Sequence, residues 1–465
     1  MSFAKLSLGT GLWIAVMACA YQTTIYGIWA GICAILKRRF GLSWIITGPL
    51  CMACLEATLP FMFKMYLGII AWRMWPMMQI AEIGGPPAVS GLIILVNLVL
   101  GEFILARIHH QSQHVATKIG AVVFILLLSA GWIRGMHIES VSKQSPQLNV
   151  GLLQPNFGIV SINERKLRGF QYIKALQKAM VKMAKKDVDL IIWPESSWPY
   201  PFNRTMKKEF YLKHPYALRP NEKNRLLFGS LTYTNESDVV YNSAILIAKN
   251  GNVAGYYHKN RLVPFGENIP LADIFPNTVE RIRKRLPEWP DIVRGESPQL
   301  LIDGNLRIAP LICSEDIEMD YVHHMARLKP NLLVSIANDA WFEDSAATRQ
   351  HLALAAFRAV ETRRDLVRDT NTGISAIVDA LGRVKLEGPL VHVPINDPQS
   401  PTLLTGEVSL LNIFALAPYT VRYFPWACFL AMVIIILSRI KWVEVISPLY
   451  DFQKRKRKKR QKRKK

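Results

Sequence analysis

The apolar positions of this chain are concentrated in long runs near its two ends and broken into short runs between them. Residues 6–36 carry no charge, and further apolar runs cover 40–55, 83–105, 119–133 and 424–438, with Glu102 the one charged residue among them. A helix needs about 20 apolar residues to cross a bilayer. The pattern therefore predicts five membrane spans, the second, fourth and fifth of them short. Gly84-Gly-Pro-Pro87 marks a turn entering the third span. A carboxylate in hydrocarbon is costly, so Glu102 is expected near the cytoplasmic interface or, failing that, lining a lipid groove.

From about 148 to 405 the texture changes, and short β-rich runs alternate with helical spacing. Residues 149–153, 188–193, 225–229, 306–312 and 331–337 read as strands, and 241–248 with 251–257 as a hairpin turning at Asn250-Gly251. Leu167, Phe170, Ile173, Leu176, Met180 and Met183 recur on one face of a helix over 163–186. Leu352, Ala355, Ala359 and Val360 do the same over 348–364. Alternation of this kind predicts one layered α/β domain.

A formal net charge of +22 could suit nucleic acid, but eleven Lys or Arg lie in the twelve residues 454–465. They read as a solvated tail against anionic lipid headgroups rather than an RNA-binding segment. Basic clusters near short loops stay in the cytoplasm. Placing Lys37-Arg38-Arg39, 107–118 and the region from Arg439 onward there puts 56–82 and 135–423 on the other side. The amino terminus then lies outside with only Lys5 ahead of the first span and no cleavable signal pattern, so further spans are expected before Met1.

Of the six cysteines, Cys19, Cys33, Cys51, Cys54 and Cys428 fall in the apolar runs, which leaves Cys313 without a disulfide partner in the polar part. A lone thiol is most often a small buried hydrophobe. Cys313, however, ends the strand 306–312, and three other strands end on Gln154, Glu195 and Asn338. Sites in open α/β sheets gather beyond the carboxyl ends of strands. Glu195, between Trp193-Pro194 and Trp198-Pro199, is expected to be partly desolvated, which raises a carboxyl pKa toward general-base range. A thiol that attacks a carbonyl also needs positive charge for the oxyanion. Lys259, between the hairpin and Leu262-Val-Pro-Phe265, could be aimed to supply it. Cys51 and Cys54 have metal-like spacing but lie in an apolar run without His, and His323-His324 read as a helix surface pair without a third ligand. No metal or cofactor is expected.

In this order, Trp193-Pro-Glu-Ser-Ser-Trp-Pro199, Lys259 with Leu262-Val-Pro-Phe-Gly-Glu267, Cys313-Ser-Glu315 and Asn338-Asp-Ala-Trp-Phe342 resemble the nitrilase, or carbon-nitrogen hydrolase, superfamily. With Gln350-His351 and Asn371-Thr-Gly373 they are similar, more narrowly, to the bacterial apolipoprotein N-acyltransferases, over residues 25–438. The resemblance implies a nitrilase-like α-β-β-α sandwich, an α/β domain inserted between transmembrane helices of a polytopic α-helical membrane protein. Its parts would be a membrane block over 1–136 of about four spans lacking the family's first three, a catalytic domain over 145–408, a span over 420–440 and a cytoplasmic basic tail over 441–465.

Carried over by position, the resemblance implies Cys313 as nucleophile, Glu195 as general base and Lys259 as oxyanion stabiliser, with Glu267, Glu315, Ser314, Asn338 and Trp341 in support. The implied reaction moves a fatty acyl chain from a phospholipid, through a Cys313 thioester, to the amine of a diacylglyceryl-cysteine on a lipoprotein. It would run in a monomer of the bacterial inner membrane with its catalytic domain in the periplasm and no nucleic-acid partner. Ser314 stands where the family has an aromatic residue, Glu343 where it has glycine, and no tryptophan follows Gln154-Pro-Asn, where Phe157 and Phe170 are the nearby aromatics. Two other readings share these residues: a membrane-tethered amidase that uses water in place of the amine, and a non-catalytic lipid- or lipoprotein-binding relative. The loop 200–219, with Tyr200, Phe202, Phe210 and Tyr211, favours lipid over a small amide. An epitope appended after Lys465 should bind antibody only once the inner membrane is permeabilised, whereas the 145–408 domain should be reachable in intact spheroplasts; the reverse pattern overturns the orientation.

Overall fold

The computed structural model describes residues 8–60, 65–112, 114–157, 162–209, 215–219, 223–234, 237–263, 267, 292–342, 345–390 and 401–440. The basic tail, Phe210, Tyr211, Glu343 and the side chain of Trp341 lie outside that description. The chain forms two compact units, one comprising Met1–Ala15, Lys64–Val89 and Leu127–Arg422, the other Val16–Phe63, Ser90–Leu126 and Tyr423–Lys465.

The first unit carries two sheets. One has the order β13-β1-β2-β4-β5-β6, from β1 (Gln147–Gln154), β2 (Leu190–Ile192), β4 (Arg225–Thr234), β5 (Ser237–Ile247), β6 (Val253–His258) and β13 (Thr402–Ser409), with β3 (Phe202–Asn203) paired to β4. The other runs β12-β11-β10-β9-β8-β7, from β7 (Leu301–Asp303), β8 (Leu306–Ile312), β9 (Leu332–Ala337), β10 (Leu366–Thr370), β11 (Ala376–Val378) and β12 (Val384–Glu387). In each sheet the central strands are parallel, β1-β2-β4 and β8-β9-β10, with β3 also parallel to β4, and the other flanking strands are antiparallel. Parallel strands are covered on both faces, and every residue of β2, β9 and β10 is buried.

The helix Ile162–Met183 covers one sheet through Ile173, Leu176, Met180 and Met183, which share a core with Ile191, Trp193, Phe228 and Ile245. The helix Ala347–Thr362 serves the second sheet and is buried on nearly all sides, including His351, Arg358 and Glu361. The amide of Leu153 on β1 reaches the Asp369 carboxylate on β10 at 3.3 Å, so the two sheets face each other. The result is the α-β-β-α sandwich that the sequence implies. The predicted strands and both helices are present; β3, β7 and β10 to β13 were not foreseen.

Among the described residues, four helices are long and apolar enough to cross a membrane: Gly9–Phe40, Ala81–Ile108, Val115–Gln144 and Ala417–Arg439. The expected second span is a helix of only 15 residues, Trp44–Thr58, with Pro49 inside it. At the expected turn, Gly84 and Gly85 leave helical geometry, Gly85 at φ 67°, and Pro86-Pro87 follow as helix starters. A Cβ on Gly85 would lie 2.8 Å from the Met319 sulfur, so only glycine fits there.

In the second unit Glu102 accepts a hydrogen bond from Thr117 at 2.8 Å. A Cβ on Gly48 would meet Leu98 at 2.7 Å and one on Gly120 would meet Ile45 at 2.6 Å, the close helix approach that small residues permit. Cys51 packs with Cys33 and Leu36 against Met432 and Ile435. It is a helix-packing residue here.

Within the first unit, Glu82 receives Arg363 at 2.6 Å and Arg134 at 2.7 Å, and Arg363 also donates to Gln79 at 2.6 Å. Arg363 is fully buried, so removing its carboxylate leaves an uncompensated charge. Glu82→Ala should destabilise the protein by about 3–5 kcal/mol, while Glu82→Leu with Arg363→Leu should recover most of that. Detergent-solubilised thermal unfolding checks it; equal losses in both variants would show that the pair itself is not the cause.

Candidate active site

β8 delivers Cys313 into the space beyond its carboxyl end, and the backbone turns there at φ 53°, a left-handed value that a non-glycine residue adopts only when its surroundings impose it. Glu315 supplies the constraint. Its carboxylate accepts from the Ile312 amide at 2.8 Å, folding the 3-10 turn Cys313–Asp316 back on the strand. The same carboxylate accepts from the amides of Asn260 at 2.6 Å and Arg261 at 3.0 Å and from the Tyr257 hydroxyl at 2.6 Å. Tyr257 in turn bonds Tyr321 at 2.6 Å. Glu315 thus fastens the Cys313 turn to the segment after β6. That segment begins with Lys259.

Lys259 is 1% exposed, and its ammonium meets Glu267 at 2.8 Å and Glu195 at 3.6 Å. Asn242, on β5, donates to Glu195 at 2.7 Å and to Glu267 at 3.1 Å, so one amide holds both carboxylates around the ammonium. Glu267 is itself fixed by the Val263 amide at 2.9 Å. Glu195 follows β2 by way of Pro194, and Ser196 after it is left-handed at φ 50°. Gly229 on β4 makes room for this bend, because a Cβ there would sit 2.6 Å from the Pro194 carbonyl oxygen and 2.7 Å from the Glu195 Cα.

The electrostatics follow from burial. Desolvation pushes the Glu195 carboxyl up, with Lys259 opposing. Burial disfavours the Lys259 ammonium, but Glu195, Cys313 and Glu267 outweigh it and hold the lysine charged. Burial, and then Glu195, push the Cys313 thiol well above its ordinary value, and Lys259 alone among its main neighbours pulls it down. Burial raises Glu315 to about 7 against its hydrogen bonds. The arrangement offers a neutral thiol, a proton-accepting carboxylate and a fixed cation within mutual electrostatic reach.

Asn338, after β9, accepts from Asn371 after β10 at 3.1 Å, and Asn371 bonds the Phe157 backbone after β1 at 2.7 and 3.0 Å. It ties strand-end loops together. Ser314 accepts through its carbonyl from Ile317 at 3.2 Å, which closes the nucleophile turn. Asn242, Gly229, Tyr257 and Tyr321 were not singled out from the sequence; an Asn inside a strand of otherwise apolar or small residues was the one available signal.

Glu195 is buried and its carboxyl raised by desolvation, as expected, while Trp193 and Trp198 stack at 6.5 Å in the helix-side core with Phe228 and anchor the strand end. Two expectations are corrected. In the loop 200–219, Phe202 is a core residue at 2% exposure and Tyr200 packs against that core, so these two rings are committed to packing. His323 is buried and pairs with Glu361 at 2.7 Å, because successive helix residues point about 100° apart and only His324 faces out.

The family model for carbon-nitrogen hydrolases matches residues 152–392. The chain is 30% identical over 432 residues to the apolipoprotein N-acyltransferase of Geobacter metallireducens, covering 90% of this chain and 79% of that protein. It is 28% identical over 408 residues to the protein of the same name from Bdellovibrio bacteriovorus, covering 83% of this chain and 73% of that one. Among solved structures it is similar to Saccharomyces cerevisiae Nit3, a member of branch 10 of the nitrilase superfamily, at 15% identity and a TM-score of 0.38 over 60% of this chain and 94% of that one. By its matched domain and by the length it shares with these relatives, the chain belongs to the carbon-nitrogen hydrolase family and, within it, to the apolipoprotein N-acyltransferases.

Proposed function

We propose that this membrane protein transfers a fatty acyl chain from a phospholipid to the amino terminus of a diacylated lipoprotein through a thioester on Cys313. The observation that carries the reading is the buried Lys259 ammonium held between Glu195 and Glu267 beside a strand-end thiol. The 145–408 domain would face the periplasm from the inner membrane, with the basic tail in the cytoplasm.

In the first step the Cys313 sulfur attacks the phospholipid ester carbonyl while Glu195 takes the thiol proton. Lys259 meets the oxyanion. The tetrahedral adduct collapses with cleavage of the ester C–O bond, and Glu195 returns the proton to the leaving lysophospholipid oxygen. In the second step the uncharged amine of diacylglyceryl-cysteine attacks the thioester, Glu195 takes the amine proton, and the C–S bond breaks. The proton then goes to the Cys313 sulfur. A thioester keeps the acyl group reactive between two lipids that bind in turn. Four apolar helices in the same chain support lipid substrates over a soluble amide.

Incubation with phospholipid carrying a labelled acyl chain should leave label on Cys313 that neutral hydroxylamine releases. Cys313→Ala should carry none, and equal labelling of the two proteins would end the proposal. Glu195→Gln and Lys259→Met should each slow labelling at least about a hundredfold. Gly229→Ala, which pushes on the Pro194-Glu195 bend from behind, should slow it at least about tenfold with the fold retained; a wild-type rate would show that the close approach does not set the position of Glu195.

A further inference from the structure

Beneath the nucleophile turn lies a second buried cluster that the acyl-transfer steps do not use. Asp316, the last residue of the 3-10 turn that Cys313 begins, accepts from His351 Nε2 at 2.6 Å, from Ser335 at 2.6 Å and from Arg368 at 3.4 Å. Asp339, in the turn after β9, receives Arg368 on both oxygens at 3.2 Å and lies 3.3 Å from His351 Nδ1, without the alignment of a hydrogen bond. All five side chains are buried. Gly373, at φ 99°, lets the loop after β10 close over Asp339, where a Cβ would lie 2.7 Å from that residue's own Cβ. The Phe342 ring stands edge-on to the imidazole at 6.1 Å.

Both nitrogens of His351 face carboxylates, so the ring is placed to carry two protons. Two carboxylates, one guanidinium and one imidazolium then sum to zero. Loss of the imidazolium proton would leave a net negative charge in a dry layer next to the sulfur, where burial, Glu195 and Asp339 already oppose thiolate formation.

We propose that His351 is a positioning residue for Cys313: as an imidazolium it clamps Asp316 to Asp339 and Arg368, which fixes the left-handed nucleophile turn and keeps the layer below the sulfur neutral. This rests on the acyl-transfer reading of the same site. Burial alone would strip the ring's proton, but Asp316 and Asp339 outweigh it and Arg368, holding the pKa at about 9 instead of 6.5. Because the folded value is the higher one, the clamp is complete below about pH 6.5 and is lost as the pH rises through about 9.

Two readouts over pH 6 to about 10 test it, both at the Cys313 peptide by mass spectrometry: the rate of acylation by phospholipid and the rate of alkylation by iodoacetamide. In the wild type, acylation should fall as the pH passes about 9, although a rising thiolate fraction alone would raise it. His351→Gln, which still donates to Asp316 but does not titrate, should lower kcat for acylation at least about tenfold, with KM changed less than about twofold and the alkaline fall gone. Asp339→Asn should move that fall to lower pH by about one unit, an arm that stands if His351→Gln fails to fold. Wild-type rates and an unchanged alkaline fall in either folded variant would overturn the proposal, as would no alkaline fall in the wild type. If no acyl-enzyme forms at all, the acyl-transfer reading fails, and the alkylation profiles decide the clamp independently: a pH profile shifted in the variants supports it, and superimposed profiles overturn it.

Discussion

The constraint on which this site depends is the buried ammonium of Lys259. An ion removed from water costs several kcal/mol unless its neighbours replace the lost hydration. At 1% exposure Lys259 has that replacement, among the described residues, through Glu267 and Glu195, and those carboxylates are in turn held by Asn242. Burial first, and then the excess of negative charge where one cation faces two carboxylates, keep the thiol beside it protonated. Moving the thiol proton to Glu195 leaves the pocket's total charge unchanged, so the low-dielectric surroundings penalise that exchange far less than they would the loss of a proton to solvent.

Two of the site's segments are held in left-handed backbone, at Cys313 and at Ser196. Such residues persist where side-chain contacts over-determine them. At Cys313 the contact is Glu315, whose carboxylate binds the amides on both sides of the gap between β8 and the segment after β6. At Ser196 the enabling feature is Gly229, which lets the bend after β2 press on β4. Glu195, Lys259 and Cys313 come from three different strand ends, and their mutual geometry is therefore a property of these bridging groups more than of the strands.

The parts legible in the sequence were those with an uninterrupted apolar or alternating pattern: the long helices, β1, β2, β4, β8, β9 and the β5-β6 hairpin. β10 was missed because Leu366-Val-Arg-Asp-Thr370 places Arg368 and Asp369 in positions that read as solvent-facing, although both are fully buried. Their partners, Asp316 and Asp339 for Arg368 and Ser375 and the Leu153 amide for Asp369, lie far away in the chain. The same blindness hid the second face of the helix Ala347–Thr362, whose apolar stripe was plain while His351, Arg358 and Glu361 looked like an exposed side. Buried charge is paired charge, and a linear pattern carries no record of pairing across the fold. Ser314 could be read for what it lacks, an aromatic ring. Its observed contribution is a carbonyl that closes the turn, which any residue could make.

One element connects the chemistry to the start of a candidate membrane span. The helix Ala347–Thr362 meets the nucleophile turn through His351 and ends at Arg363, whose guanidinium is buried against Glu82 at the beginning of the span Ala81–Ile108. At 1.5 Å per residue, His351 and Arg363 are about 18 Å apart along that axis. A helix buried on nearly all sides and fastened by ion pairs at both ends behaves as a fixed spacer. The separation between the Cys313 turn and the first turn of that apolar helix, both within the first unit, is then set by helix length and does not adjust independently of it.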